Sequence, residues 1–444
     1  MATVNLVPTI YFNIKQYGAV GDGSNDDTSA INNAIAAAAG GGYVYFPPGI
    51  YNTTGSIIIN NDNIVLKGAG WSSVIKPASG AQFDAISTPI PGSAGLAGFV
   101  RNYIGVCDLK VDCSSMTGST AGQGNGIHWY GVRYGSIKNV LVLSCPNWAI
   151  LLDGDNSGAI NFGYNNQIVS CTTDLCNASI LTTNCEANDI VECIFKWAGT
   201  ATAALQPVFG TQATTARHAK MTSGYANIVG CVFGNGGTYT TSALRFENGG
   251  PSRVYGNRFD QCRYQAIETP SGNQIIVGNQ FGNCSSVGTV QVISIGSSNN
   301  IITGNKFDIT NGAAHYTYCI QESGGPYSGN VIEDNNFVAG TSGVVNQNAT
   351  STNSIAHNPG YNPVGFAVTQ PAVPASTVNA TNNSGVDCTV YISGGTLTVV
   401  NVGGSATGIT AAAAAGSVHA VDVPANQTIS ITYTVAPTWK WFGR

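Results

Sequence analysis

Of 444 residues only 9 % are charged, 17 Lys+Arg against 22 Asp+Glu, where a soluble domain typically has about 25 %. A net charge of −5 with 43 % hydrophobic residues excludes a disordered chain, which combines high charge with low hydrophobicity, and a basic nucleic-acid footprint. No run approaches the ~20 apolar residues of a spanning helix, and the Gly residues keep no collagen-like period, so Asn, Ser, Thr and Gly must supply a polar, uncharged surface.

Residues 1–56 come first. The opening MATVNLVPTIYFNIKQYGAV lacks a basic segment followed by an apolar run, so no secretory leader is expected. Asp26-Asp27-Thr28 offers helix-capping chemistry. Ile31, Ala34, Ile35 and Ala38 then line one helical face, and Gly40–Gly42 end it. A strand and a Pro-Gly turn follow in YVYFPPGIY. Such a helix would cover the open end of whatever comes next.

Residues 57–365 are a field of short β-like runs. One phrase recurs there: β-branched residues, then Gly or Glu, then Asn or Cys, any residue, and Phe. It reads DIVECIF, NIVGCVF, RVYGNRF, QIIVGNQF, NIITGNKF and NVIEDNNF, ending at Phe195, Phe233, Phe259, Phe281, Phe307 and Phe337. Over the last five the period is 22 to 30 residues. That is too short for a propeller blade and fits one coil of a parallel β-solenoid. Coils stack about 4.8 Å apart, which disfavours columns of like charge and explains the sparse charge. Asn at the tight turns is expected to tolerate left-handed backbone and to ladder with Asn of the next coil. Twelve Cys form no CxxC pair and mostly sit in apolar runs, so reduced, buried thiols are expected. The five His are scattered without zinc-ligand spacing, so no metal or cofactor is expected.

Residues 366–444 change texture, to Val, Thr, Ala and Gly. They are expected to form a small C-terminal β-sandwich-like domain for trimerisation or carbohydrate binding. The ending TWKWFGR alternates Trp439, Trp441 and Phe442 and reads as a final core strand, a trimer clamp or a sugar-stacking surface.

Tyr17–Tyr51 carries YGA-x-GDG-x-x-DDT-x-AI followed by GG-x-V-x-x-P-x-G-x-Y. This resembles the opening of the pectate-lyase-like superfamily, a pattern shared by phage tailspikes, polysaccharide depolymerases and polygalacturonase relatives. The resemblance implies an all-β right-handed parallel β-helix with an N-terminal capping helix. The Gly-His-Gly of polygalacturonases is absent, the one Asp-Asp pair lies in the cap, and no calcium-dependent lyase pattern is present. C-terminal stretches such as TVNATNNSGVDCTVYISGG resemble the small β-domains that follow such helices in viral tail proteins.

Aligning the coils on their Phe places SALRFE, YQAIE, VQVIS and YCIQE together. Glu247, Glu268, Ser294 and Glu322 then form one column, with Asp153 and Asp155 in an earlier coil. Adjacent coils bring Glu247 and Glu268 to about 5 Å and alternate coils bring Glu268 and Glu322 to about 10 Å. These bracket the carboxyl separations of retaining and inverting glycosidases. Arg245 falls on the same strand side as Glu247 and suits an acidic sugar or a carboxylate. Arg217, His218 and Lys220, in a long irregular stretch, offer a base and a clamp for a lyase. Trp129, Trp148, Tyr130 and Tyr134 cluster within two coils and suit sugar stacking. Solvated strand ends and core packing are the plain alternatives for these residues.

The expected function is a virion tailspike or tail-fibre protein, a homotrimer that binds and cleaves a bacterial surface polysaccharide beside other phage tail or baseplate proteins. A non-enzymatic receptor-binding spike and a secreted bacterial lyase or hydrolase are the alternatives.

Overall fold

The computed structural model describes residues 10–89, 100–118, 123–154, 163–183, 185–196, 219–221, 225–234, 242–247, 250–285, 290–308, 316–338, 340, 342–348, 350–358, 368–409 and 418–444. Three long parallel sheets run through the first part of the chain. Among the described residues sheet A has 13 strands, sheet B 11 and sheet C 11. Each coil visits A, then B, then C, as in Arg253–Tyr255, Arg258–Asp260 and Gln265–Thr269. The fold is a right-handed parallel β-helix, as expected.

The repeat phrase explains the winding. Its β-branched residues form the sheet A strand, and its Phe lies inward on sheet B. The six repeat Phe residues stack in one buried column, with ring centroids 4.6 to 5.1 Å apart. The left-handed residue at the A–B corner is the one before the Asn. Gly256, Gly278 and Gly304 have φ of 63 to 65°, and Asp334 matches them at 55°. The Asn itself builds the ladder: Asn257 N–H donates to Asn279 Oδ1 (2.9 Å), Asn279 to Asn305 (2.9 Å), Asn305 to Asn335 (3.0 Å) and Asn335 to Asn358 (2.9 Å). Earlier coils use Cys at this position, and Cys193 N–H donates to Cys231 Sγ. All twelve Cys are free and eleven are buried.

The helix Thr28–Ala37 buries Ala30, Ile31, Ala34 and Ile35 over the first coil. Asp27 does not cap it through its side chain. Its carboxylate accepts from Val20 N–H (2.6 Å) and Gly21 N–H (3.0 Å) and fixes the preceding turn. Asp26 accepts from the Thr28 and Thr54 hydroxyls, which hold its carboxyl down at about 2.

The last part of the chain has its own apolar cluster between antiparallel sheets of four and three strands, counted among the described residues. Trp439 and Trp441 are buried in it, so TWKWFGR is a core strand there. Ile355 N–H donates to Gly385 O (3.1 Å), so this part meets the final coil of the β-helix.

Candidate functional site

The outward row of sheet C reads, in register, Ser87, His128, Leu151, Leu181, Lys220, Arg245, Glu268, Ser294, Gln321 and Asn346. Only part of the expected acid column survives this register. Glu268 is paired with Ser294, but Glu322 is paired with Ile295, one residue out of step. One residue of offset in a strand turns a side chain to the other face. Glu322 therefore shares the inward parity of Ile295 and Thr269, at the end of the helix. There its carboxylate accepts from Asn348 N–H (2.7 Å), Ser351 Oγ (2.5 Å) and Asn353 Nδ2 (2.6 Å), which is a structural tether.

Glu247 does not stack on Glu268 either. Arg245 is the residue paired with Glu268, and its guanidinium joins both acids. Nε lies 2.8 Å from Glu247 Oε1, and Nη1 pairs with Glu268. A cation holds the two carboxylates, where a glycosidase pair needs a sugar between them.

Trp129 is 1 % exposed and inward-facing, so it is a core residue and not a sugar platform. Trp148 shares that inward parity but stands half-buried at the start of its strand. Tyr130 is buried. Lys220 is in register with Arg245 on sheet C. Arg217, His218 and Asp155 lie outside the described residues.

Asp153 has partners that the sequence reading missed. Asp84, before the strand Ile86–Ser87, accepts from Asn125 N–H (2.9 Å) and Asn125 Nδ2 (2.8 Å). Its other oxygen lies 2.7 Å from His128 Nδ1. The opposite ring nitrogen, Nε2, is buried without a hydrogen-bond partner and faces Asp153 Oδ2 at 3.7 Å. Side-chain exposure rises outward, 3 % at Asp84, 8 % at His128 and 29 % at Asp153. Burial opposes the charge on His128, but the carboxylates of Asp153 and Asp84 outweigh it and raise the imidazole to about 9. At neutral pH the ring is thus an imidazolium with both N–H groups as donors. No repeat in the sequence pointed to this cluster: the strand pairing sets Asp153 opposite Tyr130, two residues past His128.

This arrangement can hold a proton at Nε2 beside a partly exposed carboxylate. The 3.7 Å gap exceeds a hydrogen bond, and such catalytic contacts often tighten only around substrate.

Residues 11–149 match a family model described as rhamnogalacturonase A/epimerase, pectate lyase-like. Asp84 and His128 lie within that span. A curated relative, a probable glucan endo-1,3-beta-glucosidase of Arthroderma benhamiae, is 31 % identical over 146 residues. That match takes in 30 % of this chain and only 16 % of the fungal protein. Among solved structures, pre-mature bacteriophage phi29 gene product 12 superposes with a TM-score of 0.52 at 17 % identity, over 78 % of this chain and 52 % of that one. DFA-IIIase from Arthrobacter chlorophenolicus A6 gives 0.52 at 15 % identity, over 78 % and 93 %. The sequence likeness to the pectate-lyase-like family is thus confined to residues 11–149, and the likeness in fold extends over 78 % of the chain.

Proposed function

We propose that this chain is a tailspike-type protein that binds a bacterial surface polysaccharide along the outward face of sheet C and cleaves it there. The observation that carries the reading is the Asp84–His128–Asp153 cluster, with a buried Nε2 that has no hydrogen-bond partner and faces a partly exposed carboxylate. Asp84 fixes the ring through Nδ1. His128 donates its Nε2 proton to the departing sugar oxygen. Asp153 takes a proton from the water that attacks the anomeric carbon as that oxygen leaves, or, if the polymer is a uronate, takes the sugar proton α to the carboxylate so that a double bond forms as the oxygen is expelled. General acid–base groups of this kind contribute about 10²–10⁴ in rate. Arg245, with Glu247 and Glu268, lies four strands from His128 in the same sheet, roughly 19 Å away at the inter-strand spacing. It is the proposed contact to a remote sugar unit.

The fungal glucosidase relative and the phage structure support polysaccharide chemistry and a virion context. Self-association as a homotrimer draws support from sheet A, where Val191, Val229, Tyr255 and Val277 line an apolar groove of about 530 Å³. Light scattering near 45.7 kDa would reject the trimer.

The test is incubation of wild type and Asp153→Asn with a panel of purified capsular polysaccharides and lipopolysaccharides. New reducing ends mark a hydrolase and unsaturated-uronate absorbance a lyase. Asp153→Asn should lose at least 100-fold in cleavage while Glu322→Gln keeps the wild-type rate. Equal cleavage by Asp153→Asn removes the assignment. Binding without products favours a receptor-binding spike, a reading supported by the Arg245–Glu247–Glu268 cluster, whose two acids are tied up by one guanidinium.

A further inference from the structure

Sheet A carries a second groove, on a different face from the cluster above. Its floor is the register row Tyr43, Val65, Gly105 and Ser136. A Cβ at Gly105 would stand 3.2 Å from both Val65 methyls and 3.3 Å from Ser136 O, so the trough keeps its depth only with glycine there. Along one side run Lys67, Cys107 and Lys138, two residues further on in each strand. Along the other stand Tyr103 and Tyr134. The groove measures about 490 Å³, within the range of small-molecule sites.

The tyrosine wall is exposed and ordered. Tyr103 is 57 % and Tyr134 43 % exposed, yet their rings stack at 5.1 Å and 11°. Tyr164 extends the row at 5.3 Å, edge on, with the Arg133 guanidinium 5.0 Å over its ring. Lys67 is held by Asp108 at 2.7 Å, and that partner raises its ammonium further. Lys138 is exposed and, among the described residues, has no ion pair. Flat rings, an open floor that ends in Ser136 and one uncommitted cation suit a sugar chain that bears carboxylates. Tyr and Trp present apolar faces to sugar rings while keeping a polar edge, and the ammonium meets the acid.

We propose that this groove is a second saccharide site, which holds an acidic oligosaccharide without cleaving it and tethers the polymer that sheet C processes. The inference rests on the polysaccharide reading above. Affinity electrophoresis through gels containing polygalacturonate, alginate or hyaluronate, against laminarin and dextran, tests it. Wild type is expected to be retarded by at least one of the acidic polymers and by neither neutral one. Tyr103→Ala/Tyr134→Ala should weaken that retardation roughly tenfold, the worth of two aromatic contacts, with unchanged cleavage of oligosaccharides too short to reach the groove. Ser136→Leu, which fills the floor and leaves the tyrosines in place, should do the same. Asp153→Asn should lose cleavage and keep retardation. If both groove variants migrate like wild type on a polymer that retards wild type, the groove is overturned and the polysaccharide reading stands. If wild type is retarded by none of the acidic polymers, or equally by neutral ones, the groove assignment is overturned, while the sheet C reading is judged by cleavage. A change of oligomeric state in both variants by light scattering would make the groove a subunit contact and overturn it as well.

Discussion

At the corner between sheets A and B, each coil from Cys231 to Asn358 offers the coil before it a side-chain acceptor in the same place. On the outward row of sheet C the residues run His128, Leu151, Leu181, Lys220, Arg245, Glu268 and Ser294. The corner is buried, so an unmet N–H there is costly and repetition satisfies every coil alike. The sheet C row faces outward and is free to vary, so its residues need not repeat from coil to coil. Arg245 between two acids and His128 between two acids are the results. Sparse charge is thus a property of the stacked interior, whereas the A–B corner admits Asp108, Glu192 and Asp334 at its left-handed position and the sheet C row carries Arg245 and Glu268.

Three substitutions would break or sharpen this contrast. Phe259→Ala cuts the middle of the Phe column and should cost about 3–5 kcal/mol, read as a lowered denaturation midpoint with unchanged binding. Asp84→Asn tests whether the sheet C cluster is also a structural brace. Breaking a buried pair by removing one partner costs about 3–5 kcal/mol. This one should carry a pH signature. The His128 imidazole is at 6.5 when unfolded and about 9 when folded. Its stabilisation is therefore complete below pH 6.5 and is lost as pH rises through 9. Denaturant titrations of wild type from pH 6 to 10 should show that decline, and Asp84→Asn should flatten it. A wild-type stability independent of pH across that window would contradict the charged ring. Asn279→Ala should have the smallest effect, about 1–3 kcal/mol, because it orphans the buried Asn257 N–H. A cost equal to that of Phe259→Ala would mean that the corner, and not the Phe column, dominates coil stacking.

The coil repeat was legible because a solenoid puts each coil's Phe, turn glycine and ladder Asn in the same place. The cap helix was legible from its apolar spacing, although Asp27 turned out to hold the turn before the helix. The acid column was only partly legible. Alignment on Phe fixes sheet B, but the stretch from there to sheet C differs in length from coil to coil. One residue of slip sent Glu322 to the inward parity, and a slip of two put Arg245, in place of Glu247, beside Glu268. The Asp84–His128–Asp153 cluster left no repeat to detect. Its members are 44 and 25 residues apart in the chain, in coils interrupted by insertions of unequal length.

The sequence alone determined the winding of the chain, because stacking identical coils imposes a period that any reader can count. Only the tertiary structure decided which outward residues meet. Strand register sets the face of every side chain to within one residue, and register is chosen by the packing of whole coils, not by local pattern.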